Sequence, residues 1–196
     1  MVDCHSCTVL SYLHRATQTR GKYTMPNWCY NNVTLRANNV GNRALLAEVA
    51  EAANNGKEIF NLLRPMPENI FRGNLGAAER EEHGENNWYD WSVAHWGTKW
   101  DTDAQNVFYD GETLTLCFDT AWSPPIELYE YLVEQGFGVL ADYYEPGMAF
   151  AGIYEDGDDR SYDNMSDKFL ENDADGQSLD EAYGILDERA QYDAEY

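Results

Sequence analysis

Apolar residues recur along this chain with a period that switches between two and nearly four, and each switch marks an element. In NWCYNNVTLRA (27–37), Trp28 and Tyr30, then Val33 and Leu35, alternate with polar neighbours across a break at Asn31-Asn32. The pattern predicts a first strand with a bulge at that pair. From Asn39 to Gly56 the spacing turns helical, with Leu45, Leu46, Val49 and Ala52 on one face and Asn54-Asn55-Gly56 as the stop. IFNLLRPMPENI (59–70) carries two prolines and predicts an extended connector anchored by Phe60, Leu62 and Leu63. The glycine-broken run GNLGAAEREEHGEN after it predicts a polar surface excursion. Helical spacing returns at Trp88, Trp91 or Ser92, and His95, until Gly97 ends it.

NVFYDGETLTLCFDTAW (106–122) reads as a hairpin around Asp110-Gly111, with Leu114, Leu116 and Phe118 at period two. SPPIELYEYLVEQG (123–136) predicts a helix capped by Ser123, with Pro124 in its first turn and Gly136 past its end. GVLADYYE (138–145) and MAFAGIYE (148–155) predict two more strands around Pro146-Gly147. Without an insertion at about 57–101 and the last strand, this order is a split β-α-β unit repeated twice. The expected class is therefore α+β: a ferredoxin-like antiparallel sheet over residues 25–155, with its helices on one face.

Two flanks differ from this domain. Residues 1–24 form a weakly basic leader without periodicity, expected to be flexible, and Met25-Pro26 is itself a plausible start. Residues 156–196 hold 14 acidic and 3 basic side chains and predict an acidic extension with short helices. Ser178-Leu179-Asp180-Glu181 has the form of a capping box for the last of them.

Charge sharpens the picture. The formal net charge is −22, yet residues 1–100 contain 10 acids and 10 bases. Residues 101–196 carry 25 acids against only Arg160, Lys168 and Arg189. Such a field repels phosphates and anionic membranes, so direct nucleic-acid binding is not expected and a partner should be basic. No run approaches the roughly 18 apolar residues of a membrane span, and Cys4, Cys7, Cys29 and Cys117 make no secreted disulfide framework. A cytoplasmic protein is the expectation.

Candidate chemistry is sparse. Cys4, Cys7 and His14 supply three zinc ligands where a structural site needs four. In ENDADGQSLDEA (171–182), Glu171, Asp173, Asp175 and Gly176 fit a calcium loop, but Ala182 stands where the bidentate carboxylate belongs. No metal or cofactor is expected. His83, His95, Asp101, Asp103 and Asp119 are the candidates for acid–base work, in a chain without a nucleophile elbow, phosphate loop or metalloprotease helix. A non-enzymatic role is expected. HWGTKWD (95–101) and FDTAWSPP (118–125) fall at direction changes. Trp96, Lys99, Trp100, Asp101 and Trp122 are accordingly read as a structural corner, its indoles covering the turn and Lys99 pairing with Asp101 at the rim.

MPNWCYNNVTLRA, WGTKWD, FDTAWSPP and EPGMAFAG, in this order over roughly residues 25–155, resemble the YubB-like proteins of plasmids and phages. That family has a ferredoxin-like domain and offers no catalytic residues to carry over. The resemblance implies a mobile genetic element as the source. It also implies a role in inhibiting a host defence or DNA-processing protein by imitating DNA or covering a basic surface. Duplex DNA carries one charge per roughly 1.7 Å, so about 22 negatives match about eleven base pairs. On this reading Asp156, Asp158, Asp159, Asp173, Asp175, Glu181 and Glu188 attract the basic host partner, while Tyr162 and Tyr183 are exposed and give specificity. The alternative is a single-stranded nucleic-acid-binding module that stacks bases on an aromatic sheet face.

Overall fold

A computed structural model describes residues 27–195. The expected leader and its cysteine–histidine cluster lie outside them. Strands β1 (Trp28–Ala37), β2 (Gln105–Tyr109), β3 (Thr113–Ala121), β4 (Phe137–Glu145), β5 (Phe150–Glu155) and β6 (Asp158–Asp163) form one antiparallel sheet in the order β2-β3-β1-β4-β5-β6. The first four strands adopt the ferredoxin-like order, and β5 and β6 extend it as a meander. Helices α1 (Val40–Asn54) and α5 (Ile126–Glu134) pack on one face, where Leu46, Val49, Leu128 and Leu132 meet Val33, Leu35, Leu114, Leu116 and Val139. Each such fully buried aliphatic side chain contributes about 1.5–3 kcal/mol.

The insertion is more ordered than its prolines imply. It holds α2 (Phe60–Leu63), α3 (Ala77–His83) and α4 (Trp88–Trp96). The expected connector begins as a helical turn because Asp101 accepts the amides of Phe60 and Asn61 at its start (2.7 and 2.9 Å). Within the excursion, α3 buries none of its residues.

Three local expectations fail for identifiable reasons. The register of β1 runs unbroken through Asn31-Asn32. Asn31 faces the core and is buried, its amide donating to Cys29 O (2.9 Å) and Thr120 Oγ1 (3.0 Å), so a satisfied polar group interrupts the pattern. The irregularity lies instead in β2, between Gln105 and Phe108. Ser123 does not cap α5, which starts after Pro125 without a side-chain cap. Prolines lack the N–H that a cap would satisfy, and Ser123 Oγ donates to Gly97 O instead (2.8 Å). The capping box at Ser178 lies inside α7 (Ala174–Tyr183), whose cap is Asp173, accepting from the Asp175 and Gly176 amides.

Residues 156–196 hold the short helices expected of the acidic extension, but they pack on the sheet and add a strand to it. Asp158–Asp163 is the edge strand β6, and α6 (Asp167–Asn172), α7 and α8 (Ile185–Glu195) follow it. Met165, Leu170, Leu179, Tyr183 and Ile185 join Tyr144, Ala151 and Ile153 in a second core on the opposite face of the sheet. Helices thus cover both faces. Gly176 permits this packing, because a Cβ there would run into the backbone oxygen of Phe169 in α6. Among the described residues, no helix is long and apolar enough to cross a membrane.

An aromatic and acidic groove as the candidate functional site

The HWGTKWD segment leaves α4 through Gly97 in the left-handed region (φ 82°), and a side chain there would strike Glu127 of α5. The segment is then latched to β3, with Thr98 Oγ1 donating to Ala121 O (3.1 Å) and Thr102 Oγ1 to Asp119 O (3.0 Å). Trp96 behaves as a corner residue should. It is buried, sets its ring edge-on against Phe60 and Trp91, and donates Nε1–H to Arg64 O (3.0 Å).

The other members of the predicted corner do something different. Trp100 and Trp122 remain 40% and 45% exposed. Their rings lie 6.3 Å apart at 30°, and Trp28 stands 6.5 Å from Trp100 on its own side. Lys99 does not pair with Asp101. Its Nζ sits 4.2 Å from the Trp100 ring and 5.2 Å from that of Trp122, a cation held on indole faces. Asp101 is occupied by the backbone, accepting from Phe60, Asn61 and Thr102 (2.7, 2.9 and 2.8 Å). Trp122 adopts φ 71°. A bulky side chain in that region costs about 1–2 kcal/mol. The Trp122 amide bond to Asn27 O and the Thr120 hydroxyl bond to Ser123 O hold the turn that imposes it (2.9 and 2.7 Å).

Beside these rings opens a groove of about 350 Å³, lined by Trp28, Trp100, Glu58, Asp101, Asp103 and Asp119, with Thr102 and Thr120. An antiparallel bridge sets Glu58 opposite Asp103. Burial raises the Glu58 carboxyl above its ordinary range, and the charges of Asp101 and Asp103 raise it further. Burial likewise raises Asp101, against the amides of Asn61, Phe60, Thr102 and Ile59 that lower it. Negative charge is therefore crowded beside two indoles. Neither Glu58 nor Trp28 carried a sequence signal for this, because the bridge that brings Glu58 to Asp103 spans the whole insertion.

The remaining candidates have intramolecular tasks. His95 Nδ1 bonds Trp91 O (2.9 Å) and its ring stacks on Trp91, while His83 stacks on Phe71. Asp156 accepts from the Val139 amide (2.7 Å) and Asp159 from the Tyr143 hydroxyl (2.8 Å). Asp175 accepts from Arg160 Nε (2.8 Å) and the Tyr162 hydroxyl (2.6 Å), which hold its carboxyl below the usual range. Arg160 also bonds Asp158 (3.1 Å), and Glu188 accepts from Tyr144 (3.2 Å). Tyr183 is no exposed specificity residue. It is buried in the second core, its hydroxyl donating to Asp142 O (2.9 Å), because α7 packs on the sheet. Tyr162 is half-buried against Phe169, whereas Glu181 is exposed on α7. The predicted carboxylates thus form no single ligand site. The calcium-like run is spent on the α6–α7 junction, and among the described residues no three His, Cys, Asp or Glu side chains converge as a metal site.

Comparison with known proteins adds little to this geometry. No family model matches the chain, and no curated protein matches it. Among solved structures, protein api92 from Yersinia pseudotuberculosis, described by the family model DUF1281, is similar at 14% identity and a TM-score of 0.38. The alignment covers 72% of this chain and 99% of that one. The likeness to YubB-like proteins rests on the sequence motifs alone.

Proposed function

We propose that this is a non-catalytic acidic protein that docks on the basic, nucleic-acid-binding surface of another protein. In the setting implied by the YubB-like motifs, that partner is a host defence or DNA-processing protein in the cytoplasm of a cell carrying a mobile element. One observation carries the reading. Residues 156–196 present 14 acids against three bases, and two of those bases, Arg160 and Arg189, already sit in ion pairs with Asp158, Asp175 and Asp167. Exposed carboxylates lie at Asp158, Asp159 and Asp163 on the edge strand β6 and at Asp167 and Glu171 on α6, the two elements joined by the Tyr162–Phe169 ring contact (4.7 Å). Asp159 and Asp163 point to the sheet face opposite Tyr162, so the charge flanks both sides of this edge. A surface of one sign steers an oppositely charged partner and rejects phosphate.

The basic-protein reading is preferred to base stacking on the sheet face for one reason. Tyr30 and Tyr144 pack into the core beneath the C-terminal helices rather than facing solvent.

The test is capture of host proteins on the immobilised full chain at low and high salt, with duplex DNA as competitor. Nucleic-acid-binding proteins should be retained at low salt, displaced by DNA, and lost to the double variant Asp163→Lys/Glu171→Lys. Retention that ignores salt, DNA and the charge reversal would refute the proposal.

A further inference from the structure

We infer that the groove beside Trp28 and Trp100 receives one arginine side chain of a protein partner, its guanidinium lying against the indoles and hydrogen-bonded to Glu58 and Asp103. The inference deepens the reading of a basic partner and rests on it. Three features select the occupant. The volume, about 350 Å³, lies at the small end of ligand pockets and suits one side chain rather than a peptide segment. The walls combine indole faces with carboxylates. Indoles are the best aromatic partners for a cation, and carboxylates bond guanidinium groups bidentately. Trp100, which lines the groove, already takes a cation on its ring, that of Lys99.

Charge complementarity disfavours anionic and apolar occupants. An anion would face Glu58, Asp101 and Asp103, and a neutral apolar group would leave their charges crowded and desolvated. The Asp101 oxygens are committed to backbone amides, so Glu58 and Asp103, both exposed at the rim, are the free acceptors. Burial raises the Glu58 carboxyl, and the neighbouring charges of Asp101 and Asp103 add a repulsion that a cation would relieve. Arginine fits better than lysine. Its planar fork can stack on an indole while reaching two carboxylates, whereas an ammonium is a strongly hydrated point charge. Lys99 lowers the local negative charge without cancelling the four carboxylates that line the groove.

The test uses full-length protein and blocked tripeptides with a central arginine, lysine or citrulline, titrated while the indole N–H resonances are followed. The arginine peptide should shift the Trp28 and Trp100 indoles with a dissociation constant on the order of millimolar, as befits one side chain. Glu58→Gln/Asp103→Asn, isosteric and at exposed positions, should weaken it at least about tenfold, because neutral acceptors bond roughly half as strongly. Trp100→Ala should abolish saturable binding. Binding of citrulline equal to arginine, lysine equal to arginine, or an arginine titration unchanged in the Gln/Asn variant would overturn the inference. The two proposals fail separately. Loss of partner capture with an intact arginine titration removes the acidic-edge reading, and the converse removes only the groove.

Discussion

Leu179 gives the sharpest test of how the acidic segment belongs to the fold. It lies on α7 with none of its surface exposed, among Leu170, Tyr183 and Ile185 and above Tyr144, Ala151 and Ile153. Leu179→Ala removes an isopropyl group from a site that cannot close easily, since Gly176 already sets α7 hard against the Phe169 backbone. Fully buried Leu→Ala changes cost about 2–5 kcal/mol, transfer and cavity together, and a stiff site falls near the middle, about 3 kcal/mol. With a urea dependence of about 2 kcal/mol per molar, the midpoint should fall by about 1.5 M. The probe is built in. All six tryptophans lie between Trp28 and Trp122, so their fluorescence reports the sheet and the corner, not the C-terminal helices. In an integral unit the tryptophan and far-ultraviolet transitions shift together. Ser178→Ala, one residue earlier and exposed in mid-helix, is the control. It should be neutral or stabilising by up to about 0.5 kcal/mol, rather than costing the roughly 1 kcal/mol of a lost cap. A tryptophan midpoint unmoved by Leu179→Ala would show that residues 156–196 are an appendage after all.

Other perturbations probe the remaining links. Asp101→Ala should destabilise by about 2 kcal/mol in urea unfolding, because it strands the amides of Phe60, Asn61 and Thr102, and Asp101→Asn should recover about half of that; no change would mean the turn does not need this carboxylate. The buried Tyr154 hydroxyl has no hydrogen-bond partner among the described residues, and burial pushes its pKa up to about 12. Tyr154→Phe should therefore be neutral or stabilising by up to about 1 kcal/mol, whereas Tyr129→Phe, which removes the donor to Asn31 Oδ1 (3.3 Å), should cost about 1 kcal/mol. The pH dependence follows from sign. Burial raises the Glu58, Asp101 and Asp142 carboxyls, so the folded state binds protons before the unfolded one and stability rises as pH falls from neutrality toward the ordinary carboxylate range. Below that range Asp175, held low by Tyr162 and Arg160, protonates and its contribution is lost. Calorimetry should find a maximum melting temperature on the acid side of neutrality; a steady fall from neutral pH downward would contradict the assignment.

Where one physical rule dominated, the sequence was legible. Period two in β3 and β4 and the Asp110-Gly111 turn led to the ferredoxin-like strand order because alternation decides which face is buried. Strand β6 was illegible for the same reason. DDRSYD has no apolar alternation, since its inward side chains, Arg160 and Tyr162, are satisfied by Asp175 and Phe169 of helices that follow it in the chain. The groove depended on pairings no local pattern encodes: Glu58 meets Asp103 across the insertion, and Trp28 meets Trp100 from a distant part of the chain. Trp100 was legible as a residue and not as a surface, because a tryptophan in a turn signals packing whether its ring ends inside or half-exposed.

The shortage of bases explains how so acidic a chain folds and still keeps its field. With 35 acids and only 13 Lys and Arg, carboxylates near the cores cannot all find a cation. Neutral donors serve as well, alone or, at Asp175, beside Arg160. Tyr143 bonds Asp159, Tyr144 bonds Glu188 and Tyr162 bonds Asp175. The buried Glu145 accepts the amides of Gly147 and Met148 (2.8 and 2.6 Å), which shapes the β4–β5 turn and delays β5 to Phe150. Hydrogen bonds from hydroxyls and amides satisfy an acceptor without cancelling its charge. Salt bridges in the same places would have stabilised the tail helices equally well and erased the potential outside them. Tyr143, Tyr144 and Tyr162 therefore help to leave the second half both folded and strongly negative.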